Sequence, residues 1–87
     1  MSLVMKDFYA DWCGPCQMMK TLMDEFEELH PEVEMERINI DDEEDLAEEY
    51  DVSSIPCLVL EKDGKEVARE VGIVTMKKLE KMLGKVK

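Results

Sequence analysis

Trp12-Cys13-Gly14-Pro15-Cys16 sets two cysteines three residues apart at the head of a helical pattern. Side chains three apart on a helix share a face. Their separation suits the Cα spacing of a disulfide, so the pair can close and open with little backbone movement. Downstream, Met19, Leu22, Met23, Phe26 and Leu29 recur at helical spacing. Pro15 near the start and His30-Pro31 at the end predict a helix over 14–29. Cys13 then lies at the helix N-terminus, where unpaired N–H groups and the macrodipole favour a thiolate. The thiolate is the attacking species in disulfide exchange, which points to Cys13 as nucleophile and to Cys16, one turn inside, as the resolving thiol. A Cys-x-x-Cys pair can also be half of a zinc site. Such a site needs two further ligands, and only Cys57 and His30 remain, without a matching second pair. Dithiol chemistry, with no metal, is the expectation.

The remaining composition bounds the class of protein. With 87 residues the chain is expected to form one domain, 1–87, and 45% hydrophobic content fits a single core. No apolar run is long enough to cross a membrane. No pattern of basic residues, apolar run and small-residue cleavage site opens the chain, so the expected compartment is the cytoplasm. Three cysteines are too few for a stapled secreted scaffold, whereas a reversible disulfide fits a reducing compartment. A net charge of −11 excludes a nucleic-acid binder, which needs a basic footprint. Residues 24–49 hold 14 of the 22 carboxylates and one basic residue, Arg37, while Lys77, Lys78, Lys81, Lys85 and Lys87 crowd the end. Solvated faces are the plain reading of this asymmetry, and steering of basic partners the sharper one. A monomer is expected.

Outward from the cysteines the chain reads strand, helix, strand, helix, strand, strand, helix. Residues 3–9 form an apolar run without helical spacing and are expected as a buried strand; Met1, Ser2 and Leu3 are given no structural weight. A second strand is predicted over 33–40. Asp41 or Asp42 is expected to cap a short helix running to Tyr50, with Leu46, Ala47 and Tyr50 as its apolar contacts. Residues 57–61 read as a third strand. Asp63-Gly64 is a two-residue hairpin signal, so a fourth strand over 66–71 should pair antiparallel. Thr75 caps a last helix carrying Met76, Leu79, Met82 and Leu83, and Gly84 stops it. The first strand–helix–strand unit must be a parallel crossover. The fold class is α/β: a βαβαββα chain building a mixed four-stranded sheet with helices on both faces.

With these elements in place the chain resembles the thioredoxin family over about residues 3–83. The segment Asp7-Phe8-Tyr9-Ala10-Asp11-Trp12-Cys13-Gly14-Pro15-Cys16 matches that family's active-site stretch. Ile55-Pro56 matches its cis-proline, and Val71-Gly72 its glycine before the last helix. The resemblance implies a thioredoxin-like fold and protein-disulfide reduction. Cys13 attacks, a mixed disulfide forms, and Cys16 resolves it. Asp7 matches a buried aspartate that takes the proton from Cys16. Ile55, Pro56 and Gly72 receive the substrate chain, and Trp12, Gly14 and Pro15 border the site. Disulfide-containing proteins are the implied substrates, and a thioredoxin reductase or another dithiol donor the implied source of electrons. No bound cofactor is implied beyond the redox-active Cys13–Cys16 pair.

Several residues depart from the family pattern. The usual extra N-terminal strand and helix are missing, giving a glutaredoxin-sized chain. Thr21 replaces a mid-helix proline, which should straighten that helix. Ser54 replaces a frequent glycine, and Tyr9 a second tryptophan. Arg37 stands where a lysine often accompanies the aspartate; an arginine close to Asp7 would lower its pKa. Cys57 follows Pro56, where threonine is more usual. It reads first as a small buried strand residue, and second as a third thiol able to exchange with the pair. His30 reads as structural or exposed. Two rival functions remain: a glutathione-dependent, glutaredoxin-like enzyme, and a docking module switched by its dithiol.

Overall fold

Alternation along β1 (Leu3–Tyr9) decides the layering of the molecule. Successive strand side chains point to opposite faces, and Met5 and Phe8 are both fully buried but lie in different cores. The computed structural model describes residues 2–86; Met1 and Lys87, the last of the terminal lysines, lie outside the described residues. In chain order β1 is followed by α1 (Gly14–Leu29), β2 (Val33–Asn39), α2 (Glu44–Glu49), β3 (Cys57–Lys62), β4 (Lys65–Val71) and α3 (Met76–Leu83). The sheet runs β2-β1-β3-β4, with β1 parallel to β2 and the other two pairings antiparallel.

One face of the sheet packs Leu3, Met5, Leu58 and Leu60 against Met19, Met23 and Phe26 of α1 and Leu79, Met82 and Leu83 of α3. The opposite face packs Phe8, Ile38, Cys57 and Val59 under Leu46, Ala47 and Tyr50 of the α2 segment. The expected arrangement of helices on both faces therefore holds, as do the three predicted contacts of α2. That helix has no fully buried residue of its own. Its end is fastened instead by Tyr50, whose O–H donates to Glu61 at 2.6 Å and whose ring lies 5.4 Å from that of Phe8.

Local signals explain most boundaries. Asp63 and Gly64 take φ of 52° and 83°, the left-handed pair that a tight two-residue hairpin requires. Thr75 caps α3, its side chain accepting from the Lys78 N–H at 3.2 Å.

Two expectations need correction. The N-cap of α2 is Glu43, without a side-chain hydrogen bond, rather than Asp41 or Asp42. The Asn39 carbonyl accepts from the Asp42 and Glu43 N–H groups, and its side chain from the Asp41 N–H, so a turn consumes these donors before the helix starts. Gly84 stops α3 as expected, at φ −60°, and the chain turns on through Lys85 and Val86. Finally, Leu3 is buried in the core and Ser2 exchanges two hydrogen bonds with Asp63, both 2.8 Å, so the opening residues help to close the hairpin end.

Candidate active site

Cys13 is the N-cap of α1. Its backbone is extended, at φ −87° and ψ 107°, and its Sγ accepts from the Cys16 N–H at 3.2 Å. That contact fills with sulfur the role an N-cap oxygen usually plays, and the helix dipole reinforces negative charge there. Pro15 lies in the first turn, where its missing N–H removes no hydrogen bond. Cys13 and Cys16 are paired as a disulfide with a Cα separation of 5.2 Å, within the range such bonds require. Both are nearly buried and share a small cluster with Ala10, flanked by Tyr9, Ile40 and Ile55.

The loop before β3 closes over this pair. The Ile55-Pro56 peptide is cis, and the Ile55 carbonyl oxygen lies 3.9 Å from Cys13 Sγ. Pro56 is fully buried, and its carbonyl accepts from the Gly72 N–H at 2.8 Å. Gly72 itself has φ +93°, with open space where a Cβ would stand. Its glycine is thus demanded by backbone conformation. Gly14 and Pro15 are exposed on the α1 side of the pair. Trp12 is 69% exposed, and its indole N–H donates to Asp41 at 2.9 Å. That partner was not anticipated, although Asp41 opens the turn that directly follows β2.

Asp7 lies on the α1 face of β1, two residues from Met5, and is buried. Burial pushes its carboxyl up to about 6, against the opposing pull of the Arg37 guanidinium, which is its register partner on β2. A cavity of about 190 Å3 has Asp7, Cys16, Lys20 and Arg37 among its walls. The carboxyl and the inner cysteine therefore share one polar chamber with room for water. Arg37 also reaches α1, where its guanidinium meets Asp24 at 2.8 Å and Glu27 at 3.4 Å. The i, i+3 spacing of those two acids was a usable signal for a shared helix face. Only the β2 register reveals which cation they meet.

The two residues weighed as extra metal ligands are not brought to the cysteine pair. His30 ends α1, about 25 Å of helix rise away, its ring tilted against that of Phe26 with centroids 4.8 Å apart and bonded to Glu80 at 3.0 Å. Cys57 is a free thiol in the Phe8 core, 1% exposed, and burial pushes it above its ordinary pKa. Among the described residues no group of three or more His, Cys, Asp or Glu is arranged to hold a metal ion.

Known proteins share this geometry. A family model described as Thioredoxin matches residues 1–85. The thioredoxin of Chlamydia pneumoniae is 46% identical over 83 residues, covering 95% of this chain and 81% of the relative. Thioredoxin-1 of Saccharomyces cerevisiae is 44% identical over 70 residues, covering 80% of this chain and 68% of the relative. The X-ray structure of Fasciola hepatica thioredoxin superposes with a TM-score of 0.91 at 36% identity, covering 99% of this chain and 82% of that one. An N-capping cysteine joined to its neighbour one turn inside, on this sheet and with these relatives, identifies the chain as a member of the thioredoxin family, a thiol-disulfide oxidoreductase that reduces protein disulfides.

Proposed function

We propose that Cys13, Cys16 and Asp7 divide the reaction between them as follows. In the reduced protein the Cys13 thiolate attacks one sulfur of a substrate disulfide. That S–S bond breaks, the released sulfur takes a proton, and Cys13 is joined to the other sulfur. Asp7 then accepts the proton of the Cys16 thiol through the shared chamber, and the Cys16 sulfur attacks Cys13 Sγ. The bond from Cys13 to substrate breaks and the second substrate sulfur leaves. Two electrons have passed to the substrate, and the pair is left as the Cys13–Cys16 disulfide. A dithiol donor such as a thioredoxin reductase returns two electrons and two protons, and no bound cofactor takes part.

The cap contact between Cys13 Sγ and the Cys16 N–H carries this reading, because it supplies charge stabilisation to one sulfur of the pair and not to the other. The Ile55 N–H donates no hydrogen bond within the described residues, which supports a docked substrate strand along Ile55, with Trp12, Gly14, Pro15 and Gly72 around it. A reversible dithiol suits a reducing compartment such as the cytoplasm. Among the described residues no helix is long and apolar enough to cross a membrane.

Insulin-disulfide reduction with a dithiol donor, measured on wild type, Cys13→Ser and Cys16→Ser, tests the assignment. Turnover should vanish in both variants, and only Cys16→Ser should accumulate a mixed disulfide with substrate. Accumulation in Cys13→Ser instead would reverse the roles, and turnover with glutathione alone would reassign the protein to glutaredoxin-like chemistry.

A further inference from the structure

The chamber beneath Cys16 is governed from outside by groups that the reaction itself does not touch. Arg37 stands beside Asp7 in the β1–β2 register, yet its guanidinium nitrogen lies 2.8 Å from Asp24 and 3.4 Å from Glu27 on the outer face of α1. These two carboxylates are more than half exposed, whereas the Arg37 side chain is 28% exposed and walls the chamber. A cation held between a buried carboxyl and two exposed ones divides its attraction among them, and the outer pair sets the share left for the inner group.

We propose that Asp24 and Glu27 are positioning residues for the resolving step: by drawing the Arg37 guanidinium toward the outside of α1, they spare Asp7 its full charge and keep it able to take the Cys16 proton. The inference rests on Asp7 being that base. Charged or titratable groups facing Asp7 come from its neighbouring elements: Cys16 and Lys20 from α1, Arg37 from β2, and Tyr9 and Asp11 from β1 and the turn after it, while Cys57 of β3 lies on the opposite face of the sheet. Arg37 is the one of these that also carries an exposed pair of acids.

The test is the double variant Asp24→Asn/Glu27→Gln, studied as the reduced full-length protein at low ionic strength, where exposed pairs are least screened. The Asp7 carboxyl is titrated by its 13C chemical shift, and first attack and resolution are timed separately by stopped flow. The midpoint of Asp7 should move to lower pH by about one unit. Resolution at neutral pH should slow roughly threefold, as a weaker base transfers the proton less readily, with first attack unchanged. Arg37→Gln should move the midpoint the opposite way. Placed on an Asp7→Asn background, the double variant should have no further effect on resolution. An unmoved midpoint overturns the proposal, as does a rate loss that persists on that background, since either result marks the two acids as merely steadying α1. If Asp7→Asn alone leaves resolution unaltered, the base assignment itself fails, a result seen without the outer variants.

Discussion

Burial shifts Asp7 toward its protonated form, which ties the proposed base to folding stability. Its folded-state pKa of about 6 exceeds the ordinary 3.8 because burial penalises the charge. For an acid raised in this way, the stabilising contribution is complete below about pH 3.8 and is lost as pH climbs through about 6. The gap corresponds to roughly 3 kcal/mol as an upper bound. Asp7→Asn, which cannot ionise, should therefore gain stability over wild type by up to about 3 kcal/mol at pH 8 and nothing at pH 3.5. Urea titrations of both proteins at the two pH values check this, and a gain independent of pH would contradict it. The same variant should slow resolution roughly 10–100-fold at pH 7 while sparing first attack. Equal slowing of both steps in stopped-flow traces would remove Asp7 from the proton transfer. Cys57 is a different kind of buried acid. Its raised pKa and its 1% exposure predict that Cys57 reacts far more slowly than Cys13 when the reduced native protein meets a thiol reagent, and that the gap closes in denaturant. A Cys57 as fast as Cys13 in native protein would instead support exchange between Cys57 and the pair.

At the scale of elements, local capping chemistry separates the robust pieces from the weak one. Thr75 makes a true side-chain cap, so Thr75→Ala should cost about 1 kcal/mol, seen as a fall in Tm of roughly 4–8 °C. By contrast α2 is six residues long, has no capping side chain and buries no residue completely. Its amides should exchange with solvent far faster than those of β1 and β3, in a native-state hydrogen-exchange experiment. The same contrast explains what could be read from residues alone. The helix over 14–29 was legible because a proline, an apolar stripe and a breaker agree. Asp63-Gly64 announced its hairpin because few residue pairs tolerate left-handed backbone. The start of α2 was misread because five acids in succession offer several equivalent caps, and the choice fell to the Asn39 turn. At the site, Cys13 and Cys16 were visible from chain-local pattern, and Asp7 only through the family resemblance. The Trp12–Asp41 contact and the clamp on Arg37 join residues from separate elements, which no spacing rule exposes.

For the whole molecule, charge is what sequence and structure jointly turn into a rate. The net charge is −11, and 14 of the carboxylates fall in residues 24–49. The fold brings part of that segment to the mouth of the site, since Asp41 accepts from the indole of Trp12, the residue before Cys13. A field of this sign raises the local concentration of cationic substrates and repels anionic ones, and it is screened beyond about 8 Å at 0.15 M salt. Two otherwise identical disulfide peptides, one flanked by Lys and one by Glu, should therefore differ in second-order rate of reduction. The Lys-flanked peptide should react about tenfold faster at 10 mM salt, and the two rates should converge toward 0.5 M. Loss of the difference in salt would assign it to long-range attraction acting on encounter. A preference unchanged by salt would place it in short-range contacts around Trp12 and Ile55, and the acidic segment would then be only a solvated face.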